Sequence, residues 1–364
     1  MNIILIILDC VRPDFLYNKK IAPFLNSLVE KEELIQFYNV IAPATWTAPS
    51  TASILTGKYP NQHGVHEPSS RKVEFFWIWG VLEKVPKRIK TIASILKKLG
   101  YYTYLLSNNP WISPYFGYRD FDLYIDKLSI TNWFSDRLFN ISNEKIRREI
   151  TSIYNRKGML PYLFYLVKYP SLMIRSFLTL CYLFIHKYPL DKGVSRTVKF
   201  VKNIHLKEPF FMLIFLVDTH ESYVGGRYSK KGYIKAIKYV DSKLKELLDI
   251  LKKKIDYDNT LIIVTADHGQ LFGEYGIYGH GGIPVKELVQ VPLLLKPPKN
   301  IKIIGNPKGY FSLTKIPILI GQALDGYIDF SKLYSEEVYV ESFCGGYKKY
   351  KASELLKEGR TKIK

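Results

Sequence analysis

The 364 residues suffice for one large catalytic domain or two ordinary ones, and 47% hydrophobic with 24% charged residues is the composition of a globular protein with an ample core. Against 33 Asp and Glu stand 53 Lys and Arg, a formal charge of +20, which suits nucleic acid, an anionic membrane surface or an anionic substrate. The basic residues are spread along the chain in short runs such as Lys252-Lys253-Lys254, without zinc-finger spacing, an RNP-like motif or a basic arm, which disfavours nucleic acid as a partner.

Residues 1–8 are apolar but lack a basic leader and a small-residue cleavage site. They read as a buried strand and not as a signal peptide, so the chain reads as cytoplasmic, at most peripheral at a membrane. Asp9 follows at the strand's carboxyl end. A helix is expected over 23–31 and a strand near 35–40. Residues 44–57 read as a loop that becomes a short helix, with Thr47 as N-cap, Pro49 tolerated in the first turn and Gly57 as the stop. A hydroxyl at that end sits where backbone N–H groups and the helix dipole favour an anion, which suits a nucleophile acting on a phosphate or sulfate ester. The same pattern also describes an ordinary capped helix. His63 closes the following turn below this helix. Ile92, Ile95, Leu96 and Leu99 share one helical face before Gly100, and a strand over 102–106 ends in the polar turn 107–110.

Between about 128 and 200 the alternation of strands and helices fails. Pro161, Pro170 and Pro189 interrupt an aromatic-rich stretch, and residues 171–185 contain Arg175 and fall short of the roughly 20 residues a spanning helix needs. A helical insertion packed on the main domain is one reading. The other is a membrane-surface helix pair within 161–187, with Lys168 and Arg175 reaching toward anionic head groups. The rhythm then returns: a strand over 210–217 ending in Asp218-Thr219-His220, an amphipathic helix over 233–254, and a strand over 261–265 ending in Ala266-Asp267-His268-Gly269. A strand over 291–295, a helix over 313–324 and a strand over 338–340 complete the chain. Cys10, Cys181 and Cys344 lie far apart without pair spacing, which argues against a disulfide framework or a zinc site and agrees with a reducing interior.

Strands separated by helices imply a largely parallel sheet, and such sheets gather functional groups at the carboxyl ends of their strands. Here that edge receives Asp9, the Asn108-Asn109 turn, Asp218-Thr219-His220 and Asp267-His268, beside the Thr47 loop. Carboxylates and imidazoles suit Mg²⁺, Mn²⁺, Ca²⁺ or Zn²⁺. A Thr hydroxyl is a poor nucleophile until coordination lowers its pKa, and no Gly-x-Ser-x-Gly elbow offers a triad instead. The expected metal ligands are therefore Asp9, Thr47, Asp267 and His268, with Thr47 also the nucleophile. His220 and His280 are expected to serve the anion and the leaving oxygen as cationic or proton-donating groups, His280 from the glycine-rich run Tyr278-Gly279-His280-Gly281-Gly282. One divalent ion is expected, and Asp218 with His220 and His280 offers a second site. Asn109 is the expected substrate contact.

As a set these residues resemble the sulfatase family of the alkaline phosphatase superfamily. The matching pieces, in the family's order over most of residues 1–300, are Ile7-Leu8-Asp9, Pro49-Ser50 through Leu55-Thr56-Gly57-Lys58-Tyr59-Pro60, and His63-Gly64-Val65. They continue with Gly117-Tyr118-Arg119-Asp120-Phe121-Asp122, Asp218-Thr219-His220, Asn259-Thr260 through Asp267-His268-Gly269, Gly279-His280-Gly281 and Val291-Pro292-Leu293. The resemblance implies an α/β fold, an alkaline-phosphatase-like three-layer sandwich around a central, mostly parallel sheet. It also implies one or two divalent metals and a covalent enzyme–anion intermediate. The catalytic domain would span 1–300, with the insertion at about 128–200, and 301–364 would complete the same domain.

The departures bear on substrate. The family's nucleophile is a Cys or Ser converted to formylglycine; here it is Thr47, which cannot be modified in that way. The family's Arg two residues after the proline is Thr51, its paired Asp is Asp9-Cys10, which removes one acidic ligand, and the Asn beside its later Asp is His268. An unmodified Thr with an Asp-His pair looks more like the phosphodiesterase and the phosphoglycerol- or phosphoethanolamine-transferase branches. The expectation is a metal-dependent hydrolase of sulfate or phosphate esters, phosphoryl favoured. The alternatives are a phosphoalcohol transferase acting on lipid or glycan at a membrane surface, and a non-catalytic membrane-surface binding protein on the same fold.

Overall fold

A computed structural model describes residues 1–66, 84–107, 109, 111–125, 191–220, 223–224, 227–344 and 346–357. The expected insertion lies outside the described residues except for 191–200, and so do the 161–187 segment and Cys181.

Among the described residues seven strands form the main sheet: β1 (Asn2–Leu8), β2 (Ile35–Gln36), β3 (Tyr102–Ser107), β4 (Leu123–Ile125), β5 (Phe210–Leu216), β6 (Thr260–Ala266) and β7 (Leu293–Lys296). Their lateral order is β2-β7-β6-β1-β5-β3-β4. The runs of Ile, Leu, Val and Phe in β1, β5 and β6 are buried at every position, as expected where a parallel sheet is covered on both faces. β1 runs parallel to β5 on one side and to β6 on the other, with Leu8 opposite Leu216 and Ala266. That register delivers Asp9, Asp218 and Asp267 to one edge. β3 is parallel to both β5 and β4, whereas β7 is antiparallel to β6 and to β2. The sheet is thus mixed but mostly parallel.

The helices Pro23–Glu30 and Val194–Asn203 pack against the long helix Lys230–Lys254, and the helix Thr47–Thr56 packs against Ile92–Lys98 and Ile316–Leu324. Ser229 caps the long helix, its Oγ accepting from Gly232 N at 3.2 Å, and the helix begins at Lys230, three residues before the expected start. In Ile92–Lys98 the buried face is Ile92, Ala93 and Leu96, while Ile95 and Leu99 are 41% and 61% exposed. The expected apolar stripe is therefore narrower than its sequence pattern. The expected strand over 35–40 is broken by Asn39 at φ 52°, so that Ile35–Gln36 joins the main sheet and Val40–Ile41 pairs elsewhere. Its partner is Tyr310–Ser312, from beyond residue 300, and Phe311, Phe330 and Tyr334 close around Phe37 with ring centroids 5.2–6.0 Å away. The C-terminal residues thus share the N-terminal core. No described helix is long and apolar enough to cross a membrane.

Candidate active site

Asp9, Asp267 and His268 are wholly buried at the carboxyl edge of the sheet, and Thr47 is buried beside them. The loop geometry brings this about. Thr219 Oγ1 donates to the Asp9 carbonyl at 2.5 Å, which ties the end of β1 to the end of β5. Ser50 Oγ donates to the Asp267 carbonyl at 2.5 Å, which ties the Thr47–Thr56 helix to the end of β6. Gly269 follows the Asp-His pair where a β-carbon would collide with the Glu287 carbonyl oxygen, so only glycine permits that close approach.

Thr47 is not the helix cap. Trp46 occupies that position, and Thr47 lies in the first turn with Oγ1 3.2 Å from His268 Nε2. The hydroxyl is therefore turned into the site instead of back onto the helix N–H groups. Gly57 ends the helix at φ 70°, as the sequence pattern requires. His63 braces the helix from below, with Nε2 2.9 Å from Ser53 Oγ and Nδ1 accepting from Val65 N at 3.0 Å, and burial pushes its pKa down to about 3.

His268 Nδ1 lies 2.8 Å from the Gly269 carbonyl, which can only accept, so Nδ1 carries the proton and Nε2 the lone pair. That lone pair faces Asp9 Oδ1 at 3.7 Å, Asp267 Oδ2 at 3.5 Å and the Thr47 hydroxyl. Burial pushes the His268 pKa down to about 4, which keeps the ring neutral and available. Burial and the charge of Asp267 hold the Asp9 carboxyl well above its ordinary range, and burial raises Asp267 too, partly offset by the N–H of Cys10. Asp267 Oδ1 accepts from the backbone N of Cys10 at 3.2 Å and of His268 at 2.9 Å, whereas Oδ2 has no hydrogen-bond partner.

A buried carboxylate oxygen with no partner is costly, and two buried carboxylates side by side are more so. A divalent cation among Asp9, Thr47, Asp267 and His268 resolves both costs. The backbone carbonyl holding the far nitrogen of His268 is the support a ligating imidazole usually has. The donor set fits a metal.

Asn109 Nδ2 donates to Asp9 Oδ2 at 3.2 Å and its Oδ1 accepts from Trp111 N at 2.9 Å. Both ends of the amide are engaged by the chain, so Asn109 orients Asp9 where a substrate contact was expected. Asp218 departs more clearly from expectation. Its Oδ1 accepts from Lys192 N at 2.7 Å and Val194 N at 3.3 Å, at the start of the helix Val194–Asn203, and it does not join His220 and His280. His220 and His280 do meet, with ring centroids 4.9 Å apart. Burial, reinforced by the neighbouring imidazoles, holds both well below the ordinary histidine pKa, so in the resting site they are neutral and not cationic.

Sequence reasoning passed over three residues that the structure places here. Cys10 Sγ donates to Asp9 Oδ1 at 3.2 Å. Gln270 Oε1 sits 2.8 Å from His280 Nδ1. Arg12 Nη1 reaches the Gln270 carbonyl at 3.2 Å and Glu274 Oε1 at 2.7 Å. Only Cys10 carried a signal, its adjacency to Asp9.

The mixed, mostly parallel sheet is a fold this chain shares with solved structures of low sequence identity. The C-terminal periplasmic domain of EcEptC from Escherichia coli, in complex with Zn, matches with a TM-score of 0.58 at 13% identity, covering 98% of this chain and 93% of that one. The phosphonate monoester hydrolase of Agrobacterium radiobacter matches with a TM-score of 0.56 at 16% identity, covering 94% and 80%. The model of the sulfatase family matches residues 1–315, and the chain belongs to that family. Choline-sulfatase of Rhizobium meliloti is 24% identical over 308 residues, 73% of this chain and 55% of that protein, so the chain spans about half the length of this relative.

Proposed function

We propose that the chain is a metal-dependent hydrolase of sulfate or phosphate esters that works through a covalent intermediate on Thr47, with phosphoryl esters favoured. The observation that carries the reading is the Thr47 hydroxyl, 3.2 Å from the lone-pair nitrogen of His268, in a pocket with two buried carboxylates. Asp9, Thr47, Asp267 and His268 would hold one divalent cation. When bound, that cation offsets the carboxylate charge and lowers the pKa of the hydroxyl it touches.

The rest is the work of the chain. Thr47 Oγ1 loses its proton to solvent and forms a bond to phosphorus or sulfur as the ester bond to the alcohol breaks, and the N-terminal turn of the Thr47–Thr56 helix favours the anion at that point. His220 and His280 are the half-buried groups of the site, more accessible than Asp9, Asp267 and His268. A bound anion opposes the burial that keeps them neutral, so one of them takes up a proton and passes it to the departing alcohol. Water then attacks the same centre and restores Thr47. Phosphoryl is favoured because an unmodified Thr47 stands where sulfatases carry formylglycine, and the net charge of +20 draws anionic substrates of either kind.

The test is activity of metal-loaded protein on aryl phosphate, phosphodiester and aryl sulfate substrates. Activity on at least one, lost in both Thr47→Ala and Asp267→Asn, is the expected outcome. Full metal-dependent activity in either variant would overturn the reading.

A further inference from the structure

On the helix Ile92–Lys98 and its C-cap, Ile95 and Leu99 adjoin one another on the solvent side, 41% and 61% exposed. One exposed Leu is ordinary on a protein surface, whereas two in contact range at helical spacing make a patch. Basic residues rim it. Lys87, Arg88 and Lys90 lead into the helix and Lys97 and Lys98 close it, all of them exposed, and residues 87–102 include no Asp or Glu. Beyond Leu99 the half-buried Tyr101 and Tyr102 extend the face, with Lys207 Nζ 4.6 Å from the centre of the Tyr102 ring. Two acids stand beside it: Asp122, already paired with Lys97 at 2.5 Å, and Glu208, next to Lys207 in the chain. The long helix Lys230–Lys254 makes the contrast. Its exposed lysines are interleaved with acids, as in the pairs Lys243–Glu246 and Lys245–Asp249, and it exposes no large apolar residue.

We propose that this face docks the protein onto an anionic lipid bilayer, with Ile95 and Leu99 entering the interface and the surrounding Lys and Arg meeting acidic head groups. Lysine stems lie along apolar surface while the ammonium reaches outward, and each basic residue near an anionic leaflet tightens binding about fivefold. Charge complementarity favours this occupant. A second copy of the chain would set the same lysines face to face, and a nucleic acid would leave the two apolar side chains without a role. The face is separate in sequence from the 161–187 segment, and the proposal rests on no catalytic reading. Leu99 precedes the amino end of β3, whereas Asn109, which holds Asp9, follows its carboxyl end. The docking face and the candidate active site therefore lie at opposite ends of that strand.

The experiment is sedimentation of the full chain with phosphatidylcholine vesicles, plain or containing about one-third phosphatidylserine. Binding to the anionic vesicles should be tighter by about 10-fold or more. Ile95→Ser/Leu99→Ser should weaken it by about 10-fold, and Lys87→Gln/Lys90→Gln/Lys98→Gln by about 10²-fold. Every substituted side chain is exposed, so both variants should melt at the wild-type temperature. No sedimentation, or equal binding to the two kinds of vesicle, overturns the proposal. Wild-type binding by either variant also overturns it, because the bilayer then meets another part of the chain or needs no apolar pair. A wild-type dimer in light scattering that Ile95→Ser/Leu99→Ser turns into a monomer gives the face to a second copy and overturns it as well.

Discussion

Two halves of the site meet at Cys10 and differ in kind. The inner half, Asp9, Asp267 and His268, is fully buried, rich in oxygen and locked by the backbone N–H groups of Cys10 and His268, which donate to Asp267, and by the Gly269 carbonyl, which accepts from His268 Nδ1. The outer half, His220 and His280, is half-buried, offers imidazole alone and is braced by a side chain, Gln270. In the proposed function the inner half is where burial makes charge costly and a cation would offset it. The outer half would handle substrate and protons. Position on the sheet accounts for the contrast: the inner residues directly follow β1 and β6, whereas His280 sits in a loop and His220 lies four residues beyond Leu216, the last residue of β5.

The largest effect that sharpens this contrast is on turnover. Asp9→Asn should lower kcat/KM by about 10⁴-fold, and His220→Ala by about 10²-fold, measured on the same substrate with saturating metal. Equal losses would erase the distinction between the halves. Next in size is the metal's effect on stability. Both inner carboxyls are raised in the fold above the ordinary 3.8, so in metal-stripped protein their contribution is full below that value and is lost as pH rises through their folded values. A divalent metal at 100-fold excess over its Kd should stabilise by about 3 kcal/mol at pH 8 and by less at pH 5, where it competes with bound protons. Thermal melts with and without chelator at the two pH values check this; an equal rise at both contradicts it.

The smallest effect comes from a histidine outside both halves. His63 is depressed from 6.5 to about 3, so its contribution is full above 6.5 and is lost as pH falls toward 3. Urea unfolding at pH 7 and pH 5 should show wild type losing about 1–2 kcal/mol more than His63→Gln. The same loss in both proteins would remove His63 from the account.

How much of this was legible in the sequence follows the same division. The buried strands announced themselves as uninterrupted apolar runs, and a parallel sheet then obliged Asp9 and Asp267-His268 to share an edge. Direction within the edge was not legible. Asp218 follows β5 as Asp9 follows β1, yet its carboxylate caps the start of the helix Val194–Asn203, a contact with residues 24 and 26 positions away in the chain. Asn109 turned toward Asp9, and Thr47 moved one position into its helix, because side-chain partners are set by tertiary packing that no local pattern encodes. Cys10 is the instructive case. Read as a lost acid, it is instead the residue through which the two halves touch.

A crystal soaked with Mn²⁺ and vanadate tests the central claim most directly. The account predicts an anomalous manganese peak among Asp9, Asp267 and His268, with vanadium bonded to Thr47 Oγ1. Vanadium bound away from Thr47, or a pocket that holds vanadate with no manganese beside it, would contradict it.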